Sequence, residues 1–130
     1  MDAIWNAMYH AAKAQQNPRD ISPYVSAGGV AAAILSAAGN IYTGICVDTS
    51  CTLGICAERN AIFHMLTQGE SQIQRVLALM PDGRVGPPCG ACRELMAQLM
   101  PETYGDIEVL LDYEAEKVAP LSALTPEWWI

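Results

Sequence analysis

Cys56-Ala57-Glu58-Arg59-Asn60-Ala61-Ile62 and Pro88-Cys89-Gly90-Ala91-Cys92-Arg93 are the two stretches on which the chain turns. Both read as helix starts, with thiols at the opening position. Helix N-termini carry unpaired N–H groups and partial positive charge, which stabilise thiolates. In Cys89-x-x-Cys92 the two ends of one helical turn point both sulfurs at a single ion. Cys56 supplies a third sulfur. Glu58, two residues later, is close without being an obvious ligand. Three protein ligands with a place left for water make a catalytic rather than a structural zinc site. An unligated acid beside it handles protons. The expected ligands of one Zn²⁺ per chain are therefore Cys56, Cys89 and Cys92, with Glu58 as the catalytic acid/base. Three thiolates on Zn²⁺ leave a charge of −1, which weakens a Lewis acid. Arg59 and Arg93 each directly follow a site residue and are expected to hydrogen-bond the sulfurs and draw charge off them. The bland alternative is a structural zinc knot or a set of buried reduced thiols. A structural site has no need of an acid at the Glu58 offset.

Composition bounds the rest. The 130 residues are read as one domain, residues 1–130, large enough to bury a core. A net charge of −7 with no basic run argues against a polynucleotide partner and for a small neutral or cationic substrate. The five cysteines are an odd number, and with the Pro-Cys-x-x-Cys spacing they favour metal over a disulfide framework. No signal peptide and no membrane-spanning run is read, so the cytoplasm is the expected location.

In chain order, Ile4, Met8, Ala11, Ala12 and Gln15 trace a helical face, with Trp5 and Tyr9 beside it, and Asn17-Pro18 ends the helix. Residues 21–24 are a loop. Val30 to Ser36 is small, apolar and continuous, as in a buried strand. Ala38-Gly39-Asn40 reads as a hairpin turn into a strand from Ile41 to Val47. A loop then delivers Cys56 to the second helix, which ends at Gln68-Gly69. His64 on that helix and His10 on the first are read as packed or surface histidines. Arg75 to Met80 is a third strand. The third helix starts near Cys89 and carries Cys92, Leu95, Met96 and Leu99 on one face. Ile107 to Asp112 is a fourth strand, and Lys117-Val118-Ala119 is a short edge strand. This order predicts a layered α/β fold with a mixed sheet, with the metal site where two helix N-termini meet.

The two motifs closely resemble those of the small homotetrameric cytidine deaminases and of blasticidin S deaminase. The resemblance runs from about Tyr24 to the C-terminus. It implies a three-layer α/β/α sandwich with a mixed five-stranded sheet, and a homotetramer. It also implies hydrolytic replacement of the amino group of a cytosine nucleoside, giving the uracil form and ammonia, with Glu58 moving the protons. The backbone at Ala57 and Cys89 would help to read the base.

At the substrate end the chain departs from that pattern. Relatives carry Asn-x-Glu after the second strand to grip the ribose; here Cys46-Val47-Asp48 stands there. A thiol does not replace an amide, and Asp is one methylene shorter than Glu. Where relatives place an aromatic near the ring, Gly28-Gly29 stands, which is expected to leave more room. Cys46 and Asp48 are thus the expected substrate-contacting pair, and plain cytidine is expected to be a mediocre substrate. Leu124-Thr125-Pro126-Glu127-Trp128-Trp129 resembles the C-terminal segment of blasticidin S deaminase, so Trp128 is expected either to cover the pocket or to pack at an interface. The expected substrate is cytidine, deoxycytidine or a sugar-modified analogue such as a blasticidin-like compound, and a different amino-heterocycle is the alternative. A non-enzymatic module with structural zinc is the remaining reading.

Overall fold

The computed structural model describes residues 2–130. Helix α1 (Ala3–Gln15) is followed by strands β1 (Arg19–Asp20), β2 (Val25–Ser36) and β3 (Ile41–Thr49). Helix α2 (Ala57–Thr67), β4 (Ile73–Leu79), α3 (Gly90–Leu99), β5 (Glu108–Asp112) and β6 (Lys117–Pro120) complete the order. The long strand β2 organises the sheet. It pairs antiparallel with β3 along one edge and with β4 along the other. β4 and β5 pair parallel, with α3 as the crossover, and β6 closes the far edge antiparallel to β5. The five full strands run β3-β2-β4-β5-β6, and the sheet is mixed, as expected. The sixth strand, β1, lies beside the first half of β2 and pairs through Arg19 and Asp20 alone. Two exposed polar residues carry no strand signal, so β1 was not visible in the sequence.

The continuous apolar run of β2 is buried on both faces, as such runs are when helices cover both sides of a sheet. Ala31, Ala33 and Leu35 meet Trp5, Met8 and Ala12 of α1. Ala32 and Ile34 meet Ala61, Ile62 and Met65 of α2 and Met96 of α3. The period of two divides one strand between two cores and makes the three layers. The buried face of α1 is set by Trp5, Met8 and Ala12, while Ile4, expected on that face, is 44% exposed. The reason is the entry of the helix. Asp2 caps it by accepting from the Ile4 N–H at 2.8 Å and pairs with Arg75 at 3.1 Å. The Arg75 guanidinium lies 4.8 Å from the centre of the Trp5 ring. Trp5 is thereby turned inward, and Ile4, one residue earlier, turns out.

On the other face α2 rests directly on the backbone of β3. A Cβ at Gly44 would stand 2.3 Å from the Ala61 nitrogen and 2.7 Å from the Ala57 carbonyl oxygen. Only glycine permits that approach. Asn60 Nδ2 reinforces it by donating to the Ile45 carbonyl at 3.0 Å. This contact sets the depth of α2, and therefore the height at which Cys56 and Glu58 sit over the sheet.

Candidate metal centre and substrate cavity

The two helix starts meet as expected. Cys56 is the N-cap of α2 and Cys89 the N-cap of α3. Neither cap thiol makes a capping hydrogen bond of ordinary geometry, although the Ala91 and Cys92 N–H groups act on the Cys89 thiol. The Cys56 and Cys89 sulfurs are 3.3 Å apart, Cys89 and Cys92 are 3.6 Å apart, and all three lie within 4.8 Å of one another. Three sulfurs each about 2.3 Å from a tetrahedral zinc stand roughly 3.8 Å apart. The donor set fits the ion in number, kind and spacing. None of the five cysteines is paired in a disulfide.

The three thiols sit in different electrostatic surroundings. Burial pushes the Cys92 thiol strongly up, and the charges of Glu58 and Cys56 add to the shift. Burial likewise raises Cys56, against a hydrogen bond from Arg59. At Cys89 burial also pushes up, but the Cys92 N–H and the neighbouring thiols outweigh it, and the net shift is downward. Arg59 Nη2 donates to Cys56 Sγ at 3.5 Å, the contact expected of it. The Arg59 Nε is buried without a partner, so the guanidinium holds unused donor capacity beside the sulfurs.

Arg93 is placed differently from the expectation. Its Nε donates to the Pro88 carbonyl and its Nη1 to the Leu124 carbonyl, each at 2.8 Å. Its guanidinium thus holds backbone on either side of α3 and makes no hydrogen bond to sulfur. It fixes the residue before Cys89 and ties the C-terminal segment to the helix.

Glu58 is 4% exposed, in the first turn of α2. Burial raises its carboxyl above the usual carboxylate range, opposed by its own backbone N–H and by Arg59. It lines a cavity of about 560 Å³ together with Cys56, Ala57, Arg59 and Cys89. One cavity therefore holds sulfurs of the cluster, a buried acid and the start of α2.

The family model for the cytidine and deoxycytidylate deaminase zinc-binding region matches residues 4–104. The chain belongs to that deaminase family. It is 37% identical over 73 residues to a cytidine deaminase of Halalkalibacterium halodurans, covering 55% of this chain and 55% of the relative. The match thus spans about half the length of the curated relatives. The fold is that of the cytidine deaminase of Mycobacterium tuberculosis, with a TM-score of 0.76 at 23% identity over 100% of this chain and 98% of the other. The Burkholderia pseudomallei cytidine deaminase superposes with a TM-score of 0.68 at 26% identity, over 94% and 96% of the two chains.

Within this deaminase fold the substrate end of the cavity differs in detail from the sequence expectation. Cys46 and Asp48 both line it, as expected. Cys46 Sγ, however, already accepts the Val30 N–H at 3.2 Å, and it lies 4.0 Å from Asp48 Oδ2. Gly28 does not open the cavity. Its φ is +85° and a Cβ there would stand 2.2 Å from the Asn17 carbonyl oxygen, among the backbone that follows α1. Gly29 is the residue that lines the cavity, and a Cβ there meets nothing within 4 Å. The missing side chain that leaves room belongs to Gly29.

Trp128 is not among the cavity-lining residues. Its indole N–H donates to Glu94 Oε1 at 3.1 Å, and that of Trp129 donates to the same oxygen at 2.8 Å. Glu94, on α3, anchors the aromatic tail; sequence periodicity gave it no role. Val30 and Met80 at the cavity wall, and Gln16 behind it, were missed. The Gly28-Gly29 pair was the available signal, since glycine inside a strand marks a bulge. His64 and His10 are exposed, as expected.

Proposed function

We propose that the chain is a zinc-dependent hydrolytic deaminase of a free cytosine nucleoside: cytidine, deoxycytidine or an analogue altered on the sugar. The observation that carries this reading is Glu58, a carboxyl 4% exposed in the wall of the cavity that Cys56 and Cys89 also line. Cys56, Cys89 and Cys92 would hold the zinc, which when bound supplies Lewis-acid activation of water. Glu58 takes the proton from the attacking water, delivers a proton to the ring nitrogen, and then passes one to the departing amine. The C4–N bond breaks, ammonia leaves, and the C4 position becomes a carbonyl. Burial suits Glu58 to this task because it raises the carboxyl above the ordinary carboxylate range and so makes it a better proton acceptor. The backbone at Ala57 and Cys89, in the cavity wall, helps to read the base. Arg59 draws charge off Cys56.

The sugar side supports an altered substrate. Cys46 is engaged with the backbone, Asp48 is short, and Gly29 leaves space. Cytidine is then a mediocre substrate, and a nucleoside enlarged or made cationic on the sugar is a better one, attracted by Asp48. We read the working particle as a homotetramer, since Phe63, Leu66, Leu53 and Trp129 leave apolar surface that association would cover. Free thiols suit the reducing cytoplasm. Among the described residues no helix is long and apolar enough to cross a membrane.

The test is loss of the cytosine chromophore with matching ammonia release, on cytidine, deoxycytidine and a cationic sugar-side analogue. Glu58→Gln should keep zinc and fold while losing about 10²–10⁴-fold or more in turnover. No ammonia from any cytosine nucleoside, or full activity in Glu58→Gln, would overturn the reading.

A further inference from the structure

The β2–β3 ladder breaks between Ala27 and Ala31. Across the break Gly28, Gly29 and Val30 stand opposite one residue, Cys46. On the other edge β1 ends its pairing at Ala27 and β4 begins at Ala31, so the segment has no ladder on either side. A bulge of this kind frees backbone groups that need partners elsewhere. Three find them outside the sheet ladder. The Asn17 N–H donates to the Gly28 carbonyl at 3.1 Å. Gln16 Nε2 donates to the Gly29 carbonyl at 3.0 Å. The Val30 N–H donates to Cys46 Sγ at 3.2 Å. Gln16 Nε2 also donates to the Met80 carbonyl, just past the end of β4, at 2.9 Å. One side-chain amide thus spends both of its hydrogens on two separate strands.

Gly29, Val30, Cys46 and Met80 all line the cavity that holds Cys56 and Glu58, while Gln16 does not. Two consecutive glycines have no side chains to pack and the widest backbone freedom, so this wall is as rigid as its hydrogen bonds make it. We propose that Gln16 and Cys46 are positioning residues that clamp the Gly28–Val30 bulge from opposite sides and so set the width of the substrate cavity. Gln16 holds the carbonyl side from α1 and Cys46 holds the amide side from β3. The kinetic consequence rests on the deaminase reading. The clamped wall carries no group that moves a proton, so it holds ground state and transition state alike. Loosening it raises KM and leaves kcat nearly unchanged. A residue needed only for folding would instead lower the active fraction at constant KM.

The experiment uses the zinc-loaded full chain. Gln16→Met removes both donors at similar length, Cys46→Val removes the acceptor, and Cys46→Ser restores one. For a nucleoside that the wild type deaminates, Gln16→Met should raise KM about tenfold with kcat within about threefold, and Cys46→Val should move the same way. Cys46→Ser should return to within about threefold of wild type, and the Gln16→Met/Cys46→Val pair should fall short of the product of the single effects. Gln16→Asn, whose amide is one methylene shorter and so cannot hold both carbonyls as placed, replaces Gln16→Met if that variant does not fold. A second readout needs no substrate: amide exchange at Val30 should accelerate in the Gln16 variant, although its own acceptor on Cys46 is intact. If the wild type deaminates no cytosine nucleoside, the deaminase reading falls and Val30 exchange alone decides the clamp. Unchanged Val30 exchange, or a loss of kcat at unchanged KM, overturns the proposal.

Discussion

Gly44→Ala is the change that most directly links packing to chemistry in this fold. An added Cβ would stand 2.3 Å from the Ala61 nitrogen, 2.7 Å from the Ala57 carbonyl oxygen and 2.8 Å from the Asn60 carbonyl carbon. All three are backbone atoms of α2, so no side chain can rotate away. Ordinary contact begins near 3.4 Å, so α2 must lift by about 1 Å or the strand must bend. Overpacking of this kind costs about 1–3 kcal/mol, and the upper end applies because the clash is with rigid backbone. At roughly 3–4 °C per kcal/mol for a chain of this size, the melting midpoint should fall by about 10 °C. Activity should fall further than stability. Glu58 is in the first turn of the helix that moves, whereas Cys89 and Cys92 ride on α3. A displacement near 1 Å between acid and substrate costs about 10²-fold in rate. Differential scanning calorimetry and turnover below the transition measure the two effects on one preparation. A midpoint within about 2 °C of wild type would show that α2 does not rest on the β3 backbone. Full turnover with a lowered midpoint would show that its height does not position Glu58.

Removing zinc with a chelator should lower the melting midpoint, since an ion at 100-fold over its Kd stabilises by about 2.7 kcal/mol; single Cys→Ala variants at 56, 89 and 92 should lose the metal, and full occupancy in all three would refute the ligand set. Arg59→Gln should keep fold and zinc but cost about 10–100-fold in turnover, because the donor to Cys56 Sγ is weakened; unchanged turnover at saturating substrate would refute it. Acid should destabilise the chain through Asp2 and Glu70. The Arg75 guanidinium holds Asp2 below its ordinary 3.8, and the Tyr42 hydroxyl holds Glu70 below its ordinary 4.5. Depressed carboxyls stabilise fully above those ordinary values and lose that contribution as pH falls through their folded values. The wild-type midpoint should therefore drop more between pH 5 and pH 3 than that of Asp2→Asn/Glu70→Gln, and parallel profiles would refute the assignment.

The metal centre was legible in the sequence because its parts are local. A cysteine opening a helix, an acid two residues later and a Cys-x-x-Cys turn each place their atoms by helix geometry alone, and the apolar run of β2 announces a strand buried on both faces. Other features depended on residues distant in the chain. Arg93 directly follows Cys92, yet it reaches carbonyls at Pro88 and Leu124, because α3 carries its side chain toward the tail. Trp128 was expected at a pocket or an interface; it lies outside the cavity lining, and Glu94 on α3 takes its indole N–H. Gly28 and Gly29 are adjacent and chemically identical. One is filled by the Asn17 carbonyl and the other faces the open cavity, because the chain bulges between them and the partner strands. Spacing along a helix is encoded within a few residues, so the sequence alone determined the clustering of the three thiols and the order of layers. The cavity wall is made where α1, β2, β3 and β4 meet, and unpaired backbone groups there take whichever donor or acceptor the tertiary fold brings within reach. Only the folded structure could therefore assign Cys46 to the Val30 amide and Gln16 to two carbonyls.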